Sequence, residues 1–243
     1  MLKVTVVGFW GGFPGVNEAT TGYLIQDNGF NLLVDCGSGV VAQLQNYLKV
    51  EELNAVIISH YHHDHIADIG PLQYARLISN SLVGGVSELP IYGHTLDQEG
   101  FSKLDYKGCT KGIAYQPEGS QIGPFSITFL RTKHPVPCYA MRISNANKTV
   151  VFTADTSYLE ELVSFSSDAD LFICECNLYE GQDGAVFGHM TSPDAGIVAA
   201  KANVKHLLLT HLPHFGNHQM LIEQAATYYT GPITLAKSGY IWN

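Results

Sequence analysis

Residues 54–65, NAVIISHYHHDH, decide how this chain is read. Residues 54–58 form a short apolar run of the kind buried between layers of a fold. The run opens into Ser59 and then into four histidines within six residues, out of eleven in the chain. A rigid strand that ends in a polar loop is a good place to hold reactive side chains. His60 and His62 fall on one side of an extended segment, so their imidazoles converge on one ion. Asp64 and His65, at the following turn, face a second ion. Neutral imidazole and carboxylate are donors that Zn²⁺ and Mn²⁺ accept.

The rest of the composition bounds what such a site can serve. The chain has 243 residues, 13 Lys+Arg against 22 Asp+Glu, and a net charge of −9. At about 150 residues per domain, the length allows one large layered domain as well as two small ones. The 46% hydrophobic content excludes disorder as the main state. No apolar run approaches the roughly 18–20 residues that a membrane span needs. The N-terminus, MLKVTVVGFWGG, reads as a strand running into a Gly-rich turn rather than a secretion signal. The five cysteines lack a disulfide framework and suit reduced thiols. Together these features predict a cytoplasmic protein without a membrane partner. The acidic balance argues against a broad basic surface for long nucleic acid. Lys103, Lys107 and Lys111 recur every four residues, but Asp97, Glu99 and Asp105 offset them.

Around the central segment, strands are expected at 2–8, 20–27 and 30–35, the last two forming a hairpin over Asn28-Gly29. A helix is expected over 38–49, capped by Ser38, and another over 71–80. Residues 121–154 are strand-rich. A short helix near 158–164, a strand at 171–175, a helix at 192–202, a strand at 206–211, a helix at 216–229 and a last strand at 233–236 follow. Strands in runs, then strands alternating with helices, make a layered α/β domain.

The His60–His65 segment, with its H-x-H-x-D-H spacing, resembles the signature of the metallo-β-lactamase superfamily. Lys133-His134-Pro135, Thr153-Ala154-Asp155-Thr156 and Leu209-Thr210-His211 follow in the order of that family's remaining ligands, each after an expected strand. The likeness covers nearly the whole chain and includes Asp35-Cys36-Gly37, whose Asp lies beside the metals in relatives. It implies an αββα four-layer sandwich and two divalent ions, Zn²⁺ by preference and Mn²⁺ as the other fit. His60, His62, His134 and Asp155 would bind the first ion; Asp64, His65, His211 and a bridging Asp155 the second. Asp64 is counted among the catalytic residues as well.

Two further segments point to one branch. Residues 169–177, ADLFICECN, and residues 188–191, GHMT, resemble the segments of ribonuclease Z that carry a catalytic His and the Glu that holds it. Mapped here, His189 stabilises or protonates the leaving oxygen and Glu175 orients it. The two ions supply a metal-activated hydroxide and clamp the charge that develops on phosphorus. The sequence departs from that branch in three places. His63 stands where relatives usually carry Gly. The first segment reads Cys-Glu-Cys-Asn, with Cys174 taken as a packed strand residue and not as a ligand. Most of all, the 21-residue step from His134 to Asp155 holds only a hairpin, where ribonuclease Z inserts an arm that grips tRNA.

Two hydrolytic readings therefore stand. The first is a phosphodiesterase for a cyclic nucleotide, a short nucleotide or short RNA, with Tyr61, Tyr139, Tyr158 or Tyr179 as base-stacking candidates. The second is a ribonuclease Z-like tRNA 3′-processing endoribonuclease. An ester, thioester or lactam hydrolase and a non-catalytic metal-binding module rank below both. Relatives are often homodimers through the helix after the first metal motif, here residues 66–79.

Overall fold

The computed structural model describes residues 1–243 except 83, 85, 86 and 117. It contains two compact units: Met1–Gln116 with Lys237–Asn243, and Pro117–Ala236. Each unit is built on one seven-stranded mixed sheet.

In the first unit the strands are β1 (Lys3–Gly8), β2 (Gly22–Asp27), β3 (Phe30–Val34), β4 (Ala55–Ile57), β5 (Leu89–Gly93) and β6 (Thr110–Ala114). They lie side by side in chain order, and the C-terminal strand Ile241–Trp242 adds to the free edge of β1. The first three strands are antiparallel and the next three join in parallel. The β2–β3 hairpin turns on Asn28 and Gly29, at φ 49° and 81°, as the Asn-Gly pair predicts. All three residues of β4 are buried, as its apolar run requires. Helices α1 (Val40–Leu44), α2 (His63–Ile66), α3 (Ile69–Leu82) and α4 (Gln98–Ser102) connect the strands. Val40, Leu44 and Leu72 join Val7, Leu24, Leu33, Val56 and Ile91 in one apolar core.

The second unit repeats this logic without a repeated sequence. Strands β7 (Ser120–Ile122), β8 (Phe125–Arg131), β9 (Tyr139–Ser144) and β10 (Thr149–Phe152) form an antiparallel meander. Strands β11 (Leu171–Glu175), β12 (Leu207–Thr210) and β13 (Ile233–Leu235) extend it in parallel. Helices α5 (Glu161–Phe165), α6 (Gly184–Phe187), α7 (Ser192–Lys201) and α8 (His218–Ala226) complete the unit. Helix α7 starts on a capping box in which Thr191 and Asp194 satisfy each other's backbone N–H groups.

Several expectations need correction. The helix expected over 38–49 is only Val40–Leu44, and Ser38 does not cap it. Gly39 holds that position in the left-handed region, and the Val41 N–H finds its acceptor in Asp68 Oδ2, 2.9 Å away. A distant carboxylate thus replaces the local cap. The strand at 233–236 is not the last, because Ile241–Trp242 pairs with β1. Strands β5 and β6 were not expected. Pro90, Gly93 and Gly112 dilute their strand signal, and pairing in parallel overrides it.

Candidate metal centre

Parallel strands that run the same way end on the same edge of their sheet, where α/β proteins place their sites. In the first unit β3 and β4 end side by side, and Asp35 and Ser59–His60 follow them. Asp35 is fully buried. One of its oxygens accepts from the Ser59 N–H at 2.7 Å. The other faces the Ser59 hydroxyl and His65 Nδ1, both at 2.7 Å. With Nδ1–H committed to Asp35, His65 Nε2 is left as a lone-pair donor, 3.7 Å from Asp64 Oδ2. The Ser59 hydroxyl also meets His60 Nδ1 at 3.1 Å, which frees His60 Nε2 in the same way. That nitrogen lies 3.1 Å from His62 Nδ1. Asp64 Oδ2 accepts from the Gly12 N–H at 2.8 Å.

The second unit has its own set. Strands β8 and β10 both run antiparallel to β9, so His134 and Asp155 leave the sheet at one edge, and His211 follows β12 there. Buried Asp155 turns its two oxygens to different partners. Oδ2 is 3.8 Å from His134 Nε2, and Oδ1 is 3.5 Å from His211 Nε2. His134 Nδ1 donates to the Gly188 carbonyl at 3.0 Å, again leaving Nε2 as the donor atom.

These separations suit metal binding. Bonds of about 2.0–2.2 Å in a tetrahedron put neighbouring donor atoms roughly 3.3–3.6 Å apart. Carboxylate and imidazole pairs held at 3.5–3.8 Å are too long for hydrogen bonds and close to that spacing. The donor set is nitrogen and oxygen only. His60, His62, Asp64 and His65 in the first unit, and His134, Asp155 and His211 in the second, belong to His/Asp clusters suited to holding a metal ion. The backbone accepts strain to make them. Asp35, Ala154 and His211 sit at φ 57°, 51° and 53°, a region that costs an L-residue about 1–2 kcal/mol.

Glu175 and His189 come together in the second unit. His189 Nδ1 is 2.9 Å from Glu175 Oε1, and the same oxygen accepts from the Thr156 N–H at 2.7 Å. Glu175 is buried at the end of β11, and its N–H donates to the Thr153 hydroxyl at 3.0 Å. The His189 ring stacks on His211, centroids 5.2 Å apart. Cys174 and Cys176 flank Glu175 as free, fully buried thiols. Burial pushes both thiols well above the ordinary range, with further upward pushes from each thiol's charged neighbours.

The four tyrosines named as stacking candidates each make a contact of their own. Tyr61 donates to the His94 carbonyl, and Tyr139 lies under the Arg131 guanidinium. Tyr158 bonds Glu160, and Tyr179 donates to the Phe215 carbonyl. Lys103 and Lys111 pair with Glu99 and Asp105, as their mixed face predicts. His63 is exposed on α2. The sequence reading missed Gly12 and Gly188, which act through backbone atoms. The Gly11-Gly12 pair at the end of β1 was the available signal for the first, and Gly188 stood inside the quoted GHMT segment.

The model of the β-lactamase superfamily domain matches residues 30–212. The probable metallo-hydrolase YhfI of Bacillus subtilis is 57% identical over 242 residues, covering 99% of each chain. The crystal structure of that metallo-β-lactamase fold protein superimposes with a TM-score of 0.98 at 56% identity, covering 99% of this chain and 98% of that one. Ribonuclease Z of Metallosphaera sedula is 24% identical over 268 residues, covering 87% of this chain and 88% of that protein.

Proposed function

The chain belongs to the metallo-β-lactamase superfamily and has its fold, and from that premise we propose that this metallo-hydrolase cleaves a phosphodiester bond in a nucleotide substrate. The observation that carries the proposal is the Glu175–His189 pair at 2.9 Å. A hydrolase of carboxylic esters or lactams has less need of a second acid beside its metals.

In this reading one catalytic domain spans residues 1–243. His60, His62, Asp64, His65, His134, Asp155 and His211 would hold the two divalent ions. When bound, the ions supply a nucleophile at neutral pH and neutralise charge on the phosphoryl oxygens. Asp35, Ser59 and the Gly188 carbonyl fix the tautomers of His65, His60 and His134. Glu175 accepts the His189 Nδ1–H, so the ring delivers a proton from Nε2 to the leaving oxygen only from its imidazolium form, and is left neutral with Nδ1–H on Glu175. Zinc suits the nitrogen-rich donor set, and manganese fits the same ligands.

The substrate is a cyclic nucleotide or a short nucleotide. Between His134 and Asp155 the chain forms the β9–β10 hairpin, with Ser144 opposite Thr149, and no arm. The ribonuclease Z relative favours a second reading, endonucleolytic tRNA 3′ processing, which would need another surface to hold the tRNA. A cytoplasmic setting is part of the proposal and is supported by five buried free thiols. Among the described residues no helix is long and apolar enough to cross a membrane. A homodimer through 66–79 is supported by Tyr74 and Ile78, exposed four residues apart along α3; light scattering of the purified protein tests it.

The test of function is hydrolysis of 3′,5′-cyclic AMP by protein loaded with Zn²⁺ or Mn²⁺, with Asp64→Ala as control. A kcat/KM above about 10⁴ M⁻¹s⁻¹ that vanishes in the control supports the proposal. Turnover no higher than the control rejects the cyclic nucleotide. Cleavage of precursor tRNA alone would establish the second reading.

A further inference from the structure

One exposed ring near the proposed centre is held in place with more care than surface packing needs. Segment 211–217 leaves β12 at His211 and ends at Asn217, whose side chain caps α8. Tyr179, four residues beyond Glu175, braces this segment from the loop that follows β11. Its hydroxyl donates to the Phe215 carbonyl at 2.9 Å, and the two ring centroids are 5.7 Å apart. Gly216 makes the brace possible. Its φ is 79°, and a Cβ there would come within 2.5 Å of the Tyr179 ring. The Tyr179 N–H is itself taken by Gln182 Oε1 at 2.7 Å, which ties the brace to the turn before α6. Even so, Phe215 is 50% exposed. The segment thus spends a hydroxyl, a ring face and a left-handed glycine to fix the backbone of a phenylalanine that it leaves in solvent. A backbone fixed in this way lowers the entropic cost of covering the exposed ring with another flat apolar surface.

We propose that Phe215 is the platform on which the nucleobase of the substrate stacks, with Tyr179 as the positioning residue beneath it. The inference rests on the nucleotide reading above and deepens it, since it assigns recognition of the base to one side chain. It gives Tyr179, one of the base-stacking candidates, a supporting place instead, through its hydroxyl and the ring contact with Phe215. Phe187, 60% exposed on α6 two residues before His189, has no comparable brace among the described residues.

The experiment is calorimetric binding of AMP and of ribose 5-phosphate to metal-loaded protein, which needs no turnover. The two ligands share the sugar phosphate and differ in the base. Wild type is expected to prefer AMP. Phe215→Ala is expected to reduce that preference on the order of tenfold, the scale of one lost base–aromatic stack, and Phe215→Tyr to restore it. Phe187→Ala is expected to keep the wild-type preference. A folded Phe215→Ala protein that still prefers AMP as wild type does overturns the assignment. So does wild type that binds both ligands equally, or a loss that follows Phe187 instead. Absence of phosphodiester hydrolysis with the base preference intact would instead count against the catalytic proposal and leave this one standing.

Discussion

His134 and Gly188 are 54 positions apart in the chain, and the Gly188 carbonyl accepts the His134 Nδ1–H at 3.0 Å. The glycine has φ 73°, and a Cβ on it would come within 2.6 Å of Pro135 Cδ and 3.1 Å of His134 Nδ1. The residue that fixes this imidazole is also the one before His189, so one backbone position serves both histidines.

Gly188→Ala should therefore damage metal binding through geometry alone. The left-handed backbone costs about 1–2 kcal/mol with a side chain present, and the methyl group presses on His134. A lower Tm and a lower zinc content at limiting metal are expected, read by thermal denaturation and elemental analysis. A full metal complement with unchanged affinity would show that the Gly188 contact does not orient His134.

The Glu175–His189 pair makes a prediction about additivity. His189→Ala should lower kcat by about 10²–10⁴-fold with metal content unchanged. Glu175→Gln should lower it less. If Glu175 works only through His189, the double variant will be no slower than His189→Ala alone. A further loss in the double variant would give Glu175 a separate role.

Asp35 receives three donors: the Ser59 N–H, the Ser59 hydroxyl and His65 Nδ1. Asp35→Asn keeps one acceptor and turns an NH₂ toward groups that also donate. A stability loss of about 1–3 kcal/mol is expected from the unsatisfied buried donors. Metal affinity should fall roughly 10–100-fold, as for other groups that orient a ligand. Denaturant titration and competition with a metal chelator measure the two effects separately.

His206 gives a pH signature away from the centre. Burial pushes its imidazole below the ordinary histidine range, and Nε2 sits 2.9 Å from the Thr234 hydroxyl. With the folded value depressed, the unfolded chain takes up the proton first as pH falls. Stability from neutral His206 is present above the ordinary histidine pKa and is lost on acidification through it. His206→Gln cannot take up that proton. Its Tm should drop less than wild type between about pH 7.5 and 5.5. Parallel Tm curves would show that His206 does not titrate across unfolding.

The candidate donors were legible early because they are written in short local patterns. A strand ending in His60-Tyr61-His62-His63-Asp64-His65 needs no tertiary information to suggest a metal. The Asn28-Gly29 hairpin and the Leu171–Glu175 strand are equally local. The errors fell where distant partners take over. Ser38 is a good cap by type, yet Asp68 supplies the acceptor near the start of α1. Strands β5 and β6 have weak strand composition and exist through parallel pairing.

By itself the sequence determined the class of donors, their order along the chain and their attachment to strand ends. Residue type and local spacing are enough to set those. Only the tertiary structure decided which atom of each side chain is held, and by what. Asp35 takes Nδ1 of His65, Gly188 takes Nδ1 of His134, and Asp155 turns one oxygen to each of two histidines. Tyr179 became a brace and Phe215 the exposed ring by the same kind of contact. A hydrogen bond between residues tens of positions apart depends on strand order and backbone angle, and neither is encoded in any single stretch of the chain.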